Sequence, residues 1–178
     1  MRLMTAKEVL DFWLLRDRKA WFEKNPAFDE EIRALFLPLY EKAFSGALEY
    51  WKSEPKSCLA LVIVLDQFPR NMFRGAARAF AADPIARNAA RTILKMRWDP
   101  LYTEDEKTFA YLPFEHSEEL EDQELSMRLF KDNPNFEWAR KHWEIIQRFG
   151  RFPHRNAALG RASTPEELEF LAQPGSSF

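Results

Sequence analysis

Apolar residues recur at helical spacing along most of the chain. Thr5 and Glu8 form a capping-box pair, and Val9, Leu10, Phe12, Trp13 and Leu14 supply the broad apolar face of a first helix behind it. A second helix is predicted from about Asp29, with Ile32, Leu35, Phe36, Leu39, Tyr40 and Phe44 on one side, a kink at Pro38 and an end or bend at Gly46. The run 58–65 is apolar on every side, so periodicity alone does not separate a buried strand from a buried helix. No second strand is available to pair with it, and an unpaired strand would leave its backbone groups unsatisfied. The run therefore reads as a central buried helix over about 55–68, capped by Ser53, opened by Pro55 and stopped by Pro69.

Punctuation places the remaining elements. Asp83 and Pro84 open a helix running to about Trp98, before Asp99 and Pro100; Thr103 with Glu106 gives a second capping box. Ser117 precedes a helix carrying Leu120, Leu125, Leu129 and Phe130, Pro134 starts one reaching Phe149, and Thr164, Pro165 and Glu167 open a short last helix to about Leu171. The expected fold class is all-α: about eight helices in one domain over 1–172, as a stack of helix pairs or a compact antiparallel array, with a tail at 173–178. No repeat of about 34 residues with the tetratricopeptide signature is present. One internal echo is: Q-F-P-R-N at 67–71 and R-F-P-H-R-N at 151–156 both place Phe-Pro, then Arg and Asn, past a predicted helix end.

Composition narrows the class. The chain has 178 residues, 46% hydrophobic and 30% charged, enough for one core with a solvated exterior. Its net charge of −2 gives no overall field that would draw nucleic acid or an anionic membrane, and the tryptophans read as core anchors, not base-stacking platforms. The single Cys58 cannot form an internal disulfide and lies in the apolar run, which suits a reducing cytoplasmic setting. Neither a secretion signal nor a run of about 20 apolar residues is evident, so a membrane partner is not expected.

Chemistry-bearing residues concentrate in three strings: L-D-Q-F-P-R-N-M-F-R-G at 65–75, Y-L-P-F-E-H-S-E at 111–118 and R-F-G-R-F-P-H-R-N at 148–156. On these strings the chain resembles the bacterial family catalogued as domain of unknown function 924, a similarity extending from the first helix to A-S-T-P-E-E-L-E-F-L at 162–171. The resemblance implies an all-helical, tetratricopeptide-like fold and brings no activity or catalytic residue.

The residues themselves support three readings. Asp66 and Glu115 can pair with Arg70, Arg74, Arg148 or Arg151 in a structural ion-pair network. Alternatively, Arg70, Arg74, Arg148, Arg151, His154 and Asn156 can line a pocket for a small anionic metabolite or an acidic peptide terminus, since guanidinium forks bind phosphate and carboxylate bidentately. On charge counting, the arginines outnumber the nearby acids Asp66, Glu115 and Glu118, which favours the pocket, with all three strings expected at one end of the molecule. An enzyme would use Glu115, His116 or His154 for acid–base work, with Glu115 and His154 as the pair. If the polar strings are purely structural, the domain would instead offer a helical groove for protein partners. No zinc-helix, paired-cysteine or glycine-rich phosphate motif is present, so neither a metal nor a cofactor is expected, and His142 reads as an ordinary, partly exposed imidazole. The oligomeric state is not legible.

Overall fold

The computed structural model of the chain describes residues 2–177, and among them every regular element is helical. Nine α-helices follow in order: α1 (Ala6–Leu14), α2 (Arg18–Phe22), α3 (Pro26–Phe44), α4 (Pro55–Met72), α5 (Asp83–Lys95), α6 (Glu104–Glu115), α7 (Leu120–Leu129), α8 (Phe136–Phe149) and α9 (Pro165–Leu171). Short 3-10 turns join several of them. By their contacts the residues form two compact units, one of 1–74 with 78–113 and one of 75–77 with 114–178.

In the first unit α4 is the centre, packed by α1, α3, α5 and the 3-10 turn Glu49–Ser53. Leu59, Val62, Ile63, Val64 and Leu65 are fully buried, as an all-round apolar run requires. Beside its C-terminal half, Phe68 meets Phe36 at 4.6 Å and Trp13 at 5.5 Å between ring centres, and Trp13 meets Phe109 at 5.8 Å. The offset and edge geometries are those that aromatic quadrupoles favour. Cys58 sits inside this core, its thiol 3.5 Å from the Ala89 carbonyl, and burial pushes the thiol up to about 12.

Pro69 does not stop α4, which continues to Met72. Proline removes one donor, at a cost of about 3 kcal/mol in a helix interior. Here the burial of Phe68, Asn71 and Met72 opposes that cost, Arg70 donates to the Asp66 carbonyl at 2.7 Å, and the Phe73 N–H reaches the Pro69 carbonyl at 2.9 Å. The start differs too. Glu54, not Ser53, is the N-cap, without a side-chain bond, and Ser53 closes the preceding 3-10 turn. α3 opens earlier than Asp29, because Asn25 caps the N–H groups of Ala27 and Phe28 and Pro26 takes the first position. α5 ends at Lys95, and the five-residue α2, capped by Asp17, is an addition; Trp21 ties it down by donating to the Trp13 carbonyl at 2.7 Å.

In the second unit α7 packs on α8, and Ile145, Ile146 and Phe152 form a buried cluster joined by Phe149 and Phe170. Gly150, at φ 69°, is the left-handed cap that ends α8 and turns the chain toward Phe152. Among the described residues no helix is long and apolar enough to cross a membrane.

Candidate functional site

All 3 histidines of the chain lie in the second unit, His142 and His154 against the ring of Phe152 and His116 against the ring of His142. Phe152 is 5.4 Å from the His142 ring and 5.6 Å from that of His154, while His116 and His142 lie 6.1 Å apart. The Arg155 guanidinium covers Phe152 at 4.6 Å and donates to the His116 carbonyl at 2.9 Å. Three segments deliver these groups: α6 ends on Glu115 with His116 in the turn after it, α8 carries His142, and the 3-10 turn Pro153–Arg155 carries His154 and Arg155.

Glu115 is buried at this junction, its carboxylate accepting from the Asn135 amide at 2.7 Å and lying 3.3 Å from Nδ1 of His142. His142 is only 5% exposed, which corrects the partly exposed imidazole expected from the sequence. The reason is local: His142 shares the inner face of α8 with Ala139, Ile145 and Ile146, at helical spacing. Its Nδ1 is 2.8 Å from the Trp138 carbonyl, which fixes the proton there and leaves Nε2 an acceptor. Burial first, then the electrostatic influence of His116, pushes this imidazole down to about 3, opposed by the Trp138 carbonyl and aided by Arg155 and His154, so it stays neutral around neutral pH. Gln123 of α7 supports the junction by donating to the carbonyls of Glu115 and Ser117 at 2.6 and 2.7 Å.

The other arginines of the three strings hold carboxylates. Arg70 grips Asp83 at 2.8 and 3.0 Å and lies 3.5 Å from Asp66. Although burial alone would lower the Arg70 pKa, Asp83 and Asp66 raise it. Arg74 grips Asp29 at 2.8 and 2.9 Å, with Asn71 donating to the same carboxylate at 2.8 Å. In the second unit Arg151 grips Glu167 at 2.7 and 2.8 Å, Asn156 adds a bond at 3.2 Å, and the exposed Arg148 reaches Glu166 at 2.9 Å. Arg161 makes a fork with Glu118 at 2.8 and 2.9 Å. Burial would raise the Glu118 carboxyl, but this fork and the Phe152 N–H hold it below the usual range.

A pattern unites these pairs. Asp29, Asp83, Glu166 and Glu167 all stand in the first turns of α3, α5 and α9, where the helix dipole also favours an anion. The internal echo therefore has a physical content in its asparagines: Asn71 and Asn156 each donate to a carboxylate in the first turn of a helix whose first residue is proline, Pro26 or Pro165, whereas the arginines that follow Phe-Pro differ, Arg70 holding Asp83 and Arg155 lying on Phe152.

Asp66, Arg70 and Arg74 thus belong to the first unit, and Glu115, His116, Arg148, Arg151, His154 and Asn156 to the second. The charge count made from the strings alone omits Asp29, Asp83, Glu166 and Glu167, the acids that those arginines hold. Pro26, Pro84 and Pro165, which mark helix starts, are the signal that would have found these acids; Arg161 carries no comparable signal. Among the described residues, no three His, Cys, Asp or Glu side chains are arranged to hold a metal ion.

Comparison with known proteins follows the same strings. A solved structure, a protein of unknown function, ATU0120, from Agrobacterium tumefaciens, is 39% identical over 94% of this chain and 96% of its own, with a TM-score of 0.91. No curated protein matches the chain. The model of the family described as bacterial protein of unknown function (DUF924) matches residues 9–175, and the chain belongs to that family.

Proposed function

We propose that the protein is a binding domain for a small anionic ligand, a phosphate, sulfate or carboxylate group, seated at His116, His154 and Arg155. The observation that carries this reading is the gathering of all 3 histidines and one guanidinium at one buried junction, with His142, His154 and Arg155 against the Phe152 ring and His116 against His142 and, through its carbonyl, Arg155. His116 and His154 are half-buried, whereas Arg155 is buried with its guanidinium on the Phe152 ring. Arg155 contributes a fixed positive charge, and Asn156 anchors the loop through Ser163 and Glu167. Arg70, Arg74, Arg148 and Arg151 serve as framework in this reading, because each holds a carboxylate.

Acid–base catalysis on such a ligand is the second reading, favoured by the 3.3 Å approach of Glu115 to His142. That pair would orient a buried, neutral imidazole, with His116 and His154 nearer solvent. A cytoplasmic setting is supported by the one buried thiol.

Thermal unfolding in the presence of sulfate, phosphate, acetate and citrate tests the proposal. At about 100 times its dissociation constant a ligand adds about 2.7 kcal/mol, a shift of several degrees in Tm. The shift is expected with the native chain and with Arg148→Ala, and lost with His154→Ala. If none of the four anions moves the Tm, the cluster is internal framework and the proposal fails.

A further inference from the structure

We propose that the cleft between α1, the start of α4 and α6 binds a small amphipathic monocarboxylate, its carboxylate at Lys7 and Lys56 and its aliphatic chain along Leu10, Leu14 and Leu15. This cleft lies wholly within the first unit, apart from the histidine cluster, and has a volume of about 380 Å³; Asp11 and Glu106 complete its lining. Small-molecule clefts have volumes of this order. One wall follows from helical spacing. Lys7, Leu10, Asp11 and Leu14 stand at i, i+3, i+4 and i+7 of α1 and so share a face, beside the one that Val9 and Trp13 bury in the core. Leu15, just past the end of α1, is 83% exposed at the rim. Lys56, in the first turn of α4, and Glu106 of α6 supply the other wall.

The polar groups select the charge of the ligand. Glu106 has both oxygens engaged, one accepting from Lys56 and the other from the Thr103 N–H at 3.0 Å. Lys7 donates to Asp11 in an exposed pair, of the kind that contributes little and rearranges at small cost. Each ammonium keeps N–H donors beyond the one that its acid takes, and the two side chains are 82% and 58% exposed. The Tyr102 ring, 5.7 Å from Nζ of Lys56, and Glu106 engage that lysine from the protein side. The lining thus offers donors to an acceptor. Because Asp11 and Glu106 balance the two lysines, it carries no net charge, which suits a single carboxylate in preference to a multiply charged anion. The leucines complete the selection: an aliphatic chain laid on them leaves water, whereas acetate has almost no chain to bury.

Titration calorimetry of the full chain with butanoate, hexanoate and octanoate at neutral pH tests this, with octyltrimethylammonium as the cation of matching chain. Octanoate is expected to bind once per chain, and each added methylene to lower the Kd by up to about fourfold, equivalent to about 0.8 kcal/mol per buried CH₂. Lys7→Gln with Lys56→Gln should weaken octanoate by about tenfold or more, through loss of the charge-assisted bonds. Lys7→Gln and Leu15→Asp, each alone, should also weaken it, at positions too exposed to disturb folding. Octanoate no tighter than butanoate, octyltrimethylammonium as tight as octanoate, or an affinity that none of these substitutions changes would each overturn the proposal. So would a sedimentation dimer of the native chain that Leu15→Asp dissociates, since a second copy would then cover the cleft.

Discussion

Leu61 and Leu65 are 1% and 0% exposed, at the heart of the helix that four other segments cover. Truncating either to Ala removes apolar atoms and leaves a cavity that the surrounding helices close only partly, so each substitution should lower stability by about 2–5 kcal/mol in urea unfolding. A loss below about 1 kcal/mol at both would place α4 near the surface. The burial of these leucines is legible because residue type decides it: an apolar run with no strand partner has one stable environment. His142 is different. Its place on the inner face of α8 can be read from Ala139, Ile145 and Ile146, but its neighbours Glu115 and Phe152 are brought to it from other segments. Periodicity within one helix carries no information about them.

Among the helices, the starts marked by capping boxes are the most legible features. The Thr5–Glu8, Thr103–Glu106 and Thr164–Glu167 pairs all make their reciprocal bonds, because a capping box is specified by residues three apart. Continuation through Pro69 was not legible, since it depends on burial that distant helices supply. The short α9 tests how such an end is held. Arg151 donors, opposed in part by burial and aided by the Thr164 N–H and Asn156, pull the Glu167 carboxyl down to about 2 from an ordinary 4.5. A carboxyl lowered on folding contributes stability that is fully present above its unfolded pKa and lost as pH falls through the folded one. Glu167→Gln should therefore be less stable than the native chain at pH 7, and the gap should narrow as pH falls from about 4.5 toward about 2. Urea midpoints of both proteins across that range check this, and a gap that does not change with pH would mean Arg151 and Glu167 contribute nothing as an ion pair.

For the whole molecule, the all-helical class followed from scarce glycine, frequent caps and the absence of any partner strand, whereas its division into two compact units left no mark in composition. The Phe-Pro strings were visible as an echo, yet their carboxylates stand far off along the chain, at Asp29 and Glu167. The burial of Cys58 turns the chain into its own gauge of global breathing. A thiol pushed up to about 12 and sealed at 0% exposure cannot meet an alkylating reagent while α4 is in place. Labelling then counts only the moments when the first unit comes apart, with no second cysteine to blur the signal. In fast reclosing conditions the labelling rate should fall below that of a free thiol by the opening equilibrium constant, and should rise with urea in step with the unfolding curve. Labelling at the free-thiol rate in plain buffer would show instead that the start of α4 frays by itself, detached from the stability of the rest.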